Sequence, residues 1–300
     1  MAADQPNHAP KAVSRAVKLV ECPRDAMQGI ERPIPTDLKT RYINLLLQVG
    51  FDTLDFGSFV SPKAIPQLAD TPEVIEGLDL AEAHSRTSLL AIVANKKGAE
   101  KALEYEEVEY LGFPFSLSET FQQRNTNRSQ NQALDDIREI LFLCKKHEKQ
   151  LVVYLSMGFG NPYGEPYHPE LLEQWTSKLD RLGVRILSLA DTVGIASPEA
   201  VAAAFRTLVP AYPAIEFGAH LHARPDAWRE KVEAAYEAGC HRFDGALRGF
   251  GGCPFAEDTL VGNVATENLV AFFKSKGAKL SIDAKKLEAA QDLALEVFGG

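Results

Sequence analysis

His220 and His222 are separated by one residue, a spacing that lets two side chains act on one centre. They end an apolar run over residues 215–222 that reads as a β-strand. Side chains at i and i+2 on a strand leave from the same face, so both imidazoles can reach a single ion. Neutral imidazole suits Mn, Zn, Fe or Co, and tolerates Mg when carboxylates assist. The alternative is a pair of polar residues at a strand end, which gives no packing reason for two histidines on one face.

Three other segments have residues suited to that centre. Pro23-Arg24-Asp25 ends the first predicted strand, over residues 16–22. In a closed barrel, strand one lies beside strand eight and one strand away from seven. Asp25 can then supply an oxygen ligand, and Arg24 can aim a fixed cation at a developing oxyanion. Standing alone, the two would read as a surface ion pair. Gly249-Phe250-Gly251-Gly252-Cys253-Pro254 follows the eighth strand. Its glycines permit a loop that closes over a site, and Cys253 can act there as acid or base. A plain flexible turn with an incidental thiol is the other reading. Asn263 opens the next helical pattern, either as its N-cap or as a further oxygen ligand that completes an Asp, two His, Asn set. Asp55, after strand two, and Asp191-Thr192, after strand six, also stand at strand ends.

The elements that must position these residues form a repeating series. Short apolar runs at residues 16–22, 53–56, 88–94, 107–111, 151–156, 186–189, 215–222 and 242–246 alternate with helical patterns. Those patterns include 36–49, 131–146, 169–182, 198–209, 225–238 and 263–274, with prolines 169, 198 and 225 at first-turn positions. Strict alternation predicts a parallel sheet covered by helices, and eight units predict a (β/α)₈ TIM barrel, an α/β fold. The runner-up, a doubly wound open sheet, wants a Gly-rich phosphate turn after strand one, and ECPRDAMQG is not one. The expected organisation is a lead-in over 1–15, one catalytic barrel over 16–280, and a short C-terminal helical extension over 281–300 packed on it.

A net charge of -9 argues against nucleic acid or a membrane surface as partner. Four cysteines without a CxxC pair suit neither a disulfide framework nor a zinc ribbon, which favours a reducing, cytoplasmic setting. No apolar run reaches membrane-spanning length, and the first residues do not form a secretory signal. A divalent ion, an adjacent Arg and a thiol on a loop fit cleavage of a carbon–carbon bond beside a carbonyl better than hydrolysis.

The segments VKLVECPRDAMQ, SFVSPKAIPQLAD, LADTVG, the HLH pair, GFGGCPFA and GNVATEN resemble those of the 3-hydroxy-3-methylglutaryl-CoA lyases, from Val17 to about Ala271. The resemblance implies conversion of that acyl-CoA to acetyl-CoA and acetoacetate. It implies Mg²⁺ or Mn²⁺ on Asp25, His220, His222 and Asn263, enolate stabilisation by Arg24, and proton transfer by Cys253. Gln28, Asp55, Asp191 and Glu267 match positions near substrate or metal. The acyl-CoA is the implied partner, a homodimer is among the expected assemblies, and Arg32, Lys63 and Lys97 are candidates for the CoA phosphates. This chain departs from the family pattern at Cys22 and Ala26, both Gly there, at Asp55, a Glu there, and at Ala223, where an Asp follows the His pair. Another 3-hydroxy-acyl-CoA or a 2-oxo acid is the alternative substrate, and a non-catalytic metal-bound barrel is the reading outside enzymes.

Overall fold

The computed structural model describes residues 16–80, 87–252 and 261–299. The apolar runs form eight parallel strands: β1 (Lys18–Glu21), β2 (Thr53–Ser58), β3 (Ser88–Ile92), β4 (Val108–Ser116), β5 (Gln150–Ser156), β6 (Ile186–Asp191), β7 (Glu216–Ala223) and β8 (Arg242–Gly245). Each pairs with the next, and β1 pairs with β8, so the sheet closes into a barrel. The expected (β/α)₈ fold is therefore observed. A two-residue strand, β9 (Gly262–Asn263), adds antiparallel to the end of β7.

The helices are α1 (Pro23–Gln28), α2 (Thr36–Leu47), α3 (Thr71–Glu76), α4 (Lys96–Ala102), α5 (Glu119–Thr126), α6 (Gln130–Lys146), α7 (Pro169–Leu182), α8 (Pro198–Ala211), α9 (Trp228–Glu237), α10 (Thr266–Ser275) and α11 (Ala284–Phe298). The main core lies between helices and strands, where alternate strand residues such as Phe113, Phe115, Leu187 and Leu189 meet apolar helix faces. A smaller cluster of Leu90, Ile92, Val152, Tyr154 and Ile186 packs inside the barrel. Among the described residues no helix is long and apolar enough to cross a membrane.

Several boundaries differ from the sequence expectation for identifiable reasons. Strand β4 continues past 111 and contains Pro114. Gly112 faces β3, since its carbonyl accepts from Val93 N–H. Pro114 shares that facing and lies beyond the last β3 residue, so its missing N–H costs no ladder bond. The helix expected over 225–238 starts at Trp228, which leaves Pro225 in the preceding turn. The helix expected from 263 starts at Thr266 with Ala265 as its N-cap. Asn263 is thus no helix cap: its backbone pairs in register with His222. Helix α2 starts at Thr36 as expected, and the Thr36 hydroxyl donates to Asp70 at 2.7 Å.

Helix α11 is the expected C-terminal extension, capped by Asp283, whose carboxylate accepts from Lys285 and Lys286 N–H. It lies along α2, with Phe298 edge-on to Tyr42 at 5.6 Å. Asp283 N–H donates to Val49 O, and the approach leaves no room at Gly50, where a Cβ would stand 2.3 Å from Ser281 O. The same helix touches the segment after β8: Phe298 stacks at 4.9 Å from Phe250, and Arg248 Nε donates to Gln291 O at 2.7 Å.

Candidate metal and active site

All eight strands point their carboxyl ends to one rim, so residues at strand ends converge there. His220 and His222, inward on β7, are 8% and 3% exposed. Their ring centroids stand 5.1 Å apart. Helix α1 begins directly after β1 and turns Asp25 toward them. One ligand atom from each of Asp25, His220 and His222 lies within 4.8 Å of the others. Asn263, set across from His222 by β9, donates its amide N–H to Asp25 Oδ2 at 2.7 Å and to Phe250 O at 3.1 Å. The four residues named as a ligand set therefore meet.

Both imidazoles are held through Nδ1. His222 Nδ1 lies 2.9 Å from Thr192 O, and a carbonyl only accepts, so the ring carries its proton on Nδ1. Nε2 is left with a lone pair, and it is buried with no hydrogen-bond partner among the described residues. His220 Nδ1 lies 3.1 Å from Asp244 Oδ2, which directs its Nε2 the other way. Imidazoles anchored on one nitrogen and open on the other are what a cation site requires. A buried orphan lone pair beside a carboxylate fits a divalent ion, so the donor set is a candidate metal site. The residue after the His pair is Ala223, which has no polar side chain, and Asp226 pairs with Arg224 at the surface. Orientation here comes from Asp244 and the Thr192 carbonyl.

The electrostatics agree with this arrangement. Burial lowers His222 to about 4, and the neighbouring His220 adds to the shift, so the ring is neutral at neutral pH. Burial also works against a charged His220, but the hydrogen bond and charge of Asp244 outweigh it and raise the ring's pKa. Burial opposes ionisation of Asp25 too. Arg24, the two imidazoles and the Asn263 amide overcome that and hold the carboxyl well below its usual range.

Arg24 is fixed by three partners. Its Nε and Nη2 fork onto Asp55, the shortest contact being 2.6 Å, and Nη1 donates to Asp25 at 3.1 Å and to Gln28 at 2.8 Å. Burial leaves Asp55 raised to about 6 despite the adjacent guanidinium. The bidentate fork onto the fully buried Asp55 makes the two an ion pair.

Beside the ligand set lies a cavity of about 120 Å³. Arg24, Asp25, Gln28, Thr192, His220 and His222 give it polar walls, and Ile65, Ile92, Pro114, Phe121 and Tyr154 give it apolar ones. Asp55, Asp191 and Glu267, named from the sequence as substrate contacts, are not among its lining residues. Asp55 holds Arg24. Asp191, 1% exposed, pairs with Lys231 at 2.7 Å. Glu267 accepts Arg248 N–H at 3.0 Å on the first turn of α10. Arg32 donates to Val297 O of α11, whereas Lys63 and Lys97 are exposed. Cys253 lies outside the described residues.

Asp244 and Lys231 escaped the sequence reading. A signal for Asp244 was present in the alternation Arg242-Phe243-Asp244, which puts polar side chains on the inward face of β8.

The HMGL-like family model matches residues 16–294. A hydroxymethylglutaryl-CoA lyase of Bacillus subtilis is 32% identical over 92% of this chain and 91% of its own length. A Pseudomonas aeruginosa protein named 3-hydroxy-3-isohexenylglutaryl-CoA/hydroxy-methylglutaryl-CoA lyase is 30% identical over 95% of this chain and 94% of its own. The structure of an HMG-CoA lyase from Acinetobacter baumannii, in complex with coenzyme A and 3-methylmalate, superposes with a TM-score of 0.87 at 32% identity, covering 97% of this chain and 93% of that one. With the closed barrel and the donor set at its carboxyl rim, these likenesses establish that the chain belongs to the HMGL-like family of lyases.

Proposed function

We propose that this chain cleaves the C2–C3 bond of 3-hydroxy-3-methylglutaryl-CoA, releasing acetyl-CoA and acetoacetate. The observation that carries the reading is the pair of Nδ1-anchored imidazoles facing Asp25, with the fixed Arg24 guanidinium beside them in one cavity. In the reaction the 3-hydroxyl gives up its proton and its oxygen becomes the ketone of acetoacetate. The C2–C3 electron pair moves onto the thioester as an enolate, and C2 then takes a proton to give acetyl-CoA.

Asp25, His220, His222 and Asn263 would hold Mg²⁺ or Mn²⁺, which when bound polarises substrate oxygens and eases ionisation of the 3-hydroxyl. Arg24 is held by Asp55 before substrate arrives, so stabilising enolate charge requires no reorganisation of its own. Gln28 and Thr192 line the cavity and are assigned to substrate contact. Cys253 is assigned to proton transfer at C2, and exposed Lys63 and Lys97 to the CoA phosphates. The apolar wall of Ile65, Ile92, Pro114 and Phe121 favours a second reading, in which the 3-substituent is larger than methyl. The free, buried thiols Cys22, Cys144 and Cys240 support a reducing, cytoplasmic setting.

Purified protein given Mn²⁺ and 3-hydroxy-3-methylglutaryl-CoA should release acetoacetate and acetyl-CoA in equal amounts. Absence of product from protein shown to hold metal removes this substrate. A panel of esters with longer 3-substituents then decides the acyl group.

A further inference from the structure

We infer that Lys231 is a positioning residue for His222, acting through the turn after β6. Lys231 is on α9, 6% exposed, and its ammonium has three acceptors: Asp191 Oδ2 at 2.7 Å, Gly194 O at 2.9 Å and His222 O at 3.2 Å. An ammonium has three N–H donors, so a buried lysine here is fully satisfied.

These acceptors belong to three places on the carboxyl rim: the end of β6, the turn that follows it, and the end of β7. Asp191 also accepts Ala196 N–H at 3.1 Å, which closes the turn from the other side. Thr192 lies within that turn. Its carbonyl accepts the hydrogen bond from His222 Nδ1–H, and its hydroxyl oxygen accepts Met157 N–H at 2.8 Å. One ammonium thus holds both the backbone of His222 and the turn that carries its ring's acceptor. Asp226, the nearest downstream carboxylate, is engaged at the surface, and Ala223 has no polar side chain. The ring's direction therefore depends on a main-chain carbonyl, and Lys231 with Asp191 determines where that carbonyl stands.

The inference rests on His222 being a metal ligand. Three variants test it: Lys231→Met, which removes the donors; Asp191→Asn, which keeps the shape; and the double variant, which leaves no unpaired buried carboxylate. Mn²⁺ affinity is measured by titration, together with the visible absorption of the Co²⁺-loaded protein and thermal melting. In the folded variants Mn²⁺ affinity should fall about 10- to 100-fold, as for other residues that orient ligands. The Co²⁺ spectrum at saturation should also differ from that of the unaltered protein. A residue that merely supported the fold would lower the melting temperature and leave both readouts unchanged. Any folded variant with Mn²⁺ affinity within twofold of the unaltered protein and the same Co²⁺ spectrum overturns the inference. If Lys231→Met does not fold, the other two variants decide by the same criteria. Unaltered protein that binds no Mn²⁺ overturns the ligand assignment beneath it, a separate and distinguishable result.

Discussion

Replacing Asp244 should weaken metal binding in graded steps. Its carboxylate is 3% exposed, and Oδ2 lies 3.1 Å from His220 Nδ1 and 3.3 Å from Ser188 Oγ. A hydrogen bond to a charged group contributes ~1.5–3 kcal/mol, and loss of a partner that orients a ligand costs ~10- to 100-fold in affinity, or ~1.4–2.7 kcal/mol. The two ranges coincide. Asp244→Ala removes the acceptor altogether and should stand at the ~100-fold end. Asp244→Asn keeps an acceptor oxygen but loses the charge, which leaves roughly half the bond strength, so about 10-fold is expected. Titration of Mn²⁺ into each variant gives the affinities. Melting curves define the temperature below which both remain folded, because Arg242 loses a neighbouring charge. Affinities within twofold of the unaltered protein for both variants, or Asn worse than Ala, would refute the orienting role.

Arg24→Lys keeps a cation but cannot form the fork onto Asp55. Turnover should fall about 10²- to 10³-fold while Mn²⁺ affinity changes far less; equal losses in both assays would contradict the assignment. Cys253→Ala should likewise slow turnover much more than it weakens metal binding, and a reversal of that order would argue for a structural thiol. Glu21 provides a test of pH dependence. Burial raises its carboxyl from 4.5 to about 8, against the Thr266 and Leu247 hydrogen bonds that favour its charge. Between those values the unfolded chain has lost a proton that the folded chain keeps, so this group's contribution to stability is greatest at low pH and declines toward pH 8. Glu21→Gln should flatten the fall in melting temperature over that interval. Parallel curves for the two proteins would show that Glu21 does not titrate there.

Much of the site was legible from local rules. His220 and His222 announce a shared face because a strand repeats every two residues, and eight alternating units announce a closed barrel. Closure brings β1 to β8, which is why the sequence alone places Asp25 beside the His pair. Asn263 is open between helix cap and oxygen ligand by local rules, its ligand role comes from the family resemblance, and neither foretells its place in β9.

The rest depended on contacts between elements far apart in sequence. Asp55 reads as a rim carboxylate, and only the packing of α1 against β2 turns it toward Arg24 rather than the cavity. Asp191 reads the same way, and the direction of the Lys231 side chain on α9 decides that it pairs behind His222. Asp244 reaches His220 because adjacent strands place inward residues close together near the rim. The order of residues along this chain determines which elements form and which side chains face inward, since both follow from short periodicities. Which buried polar atom satisfies which is decided only by strand register and helix approach, because a hydrogen bond needs its partners placed to within a few tenths of an ångström.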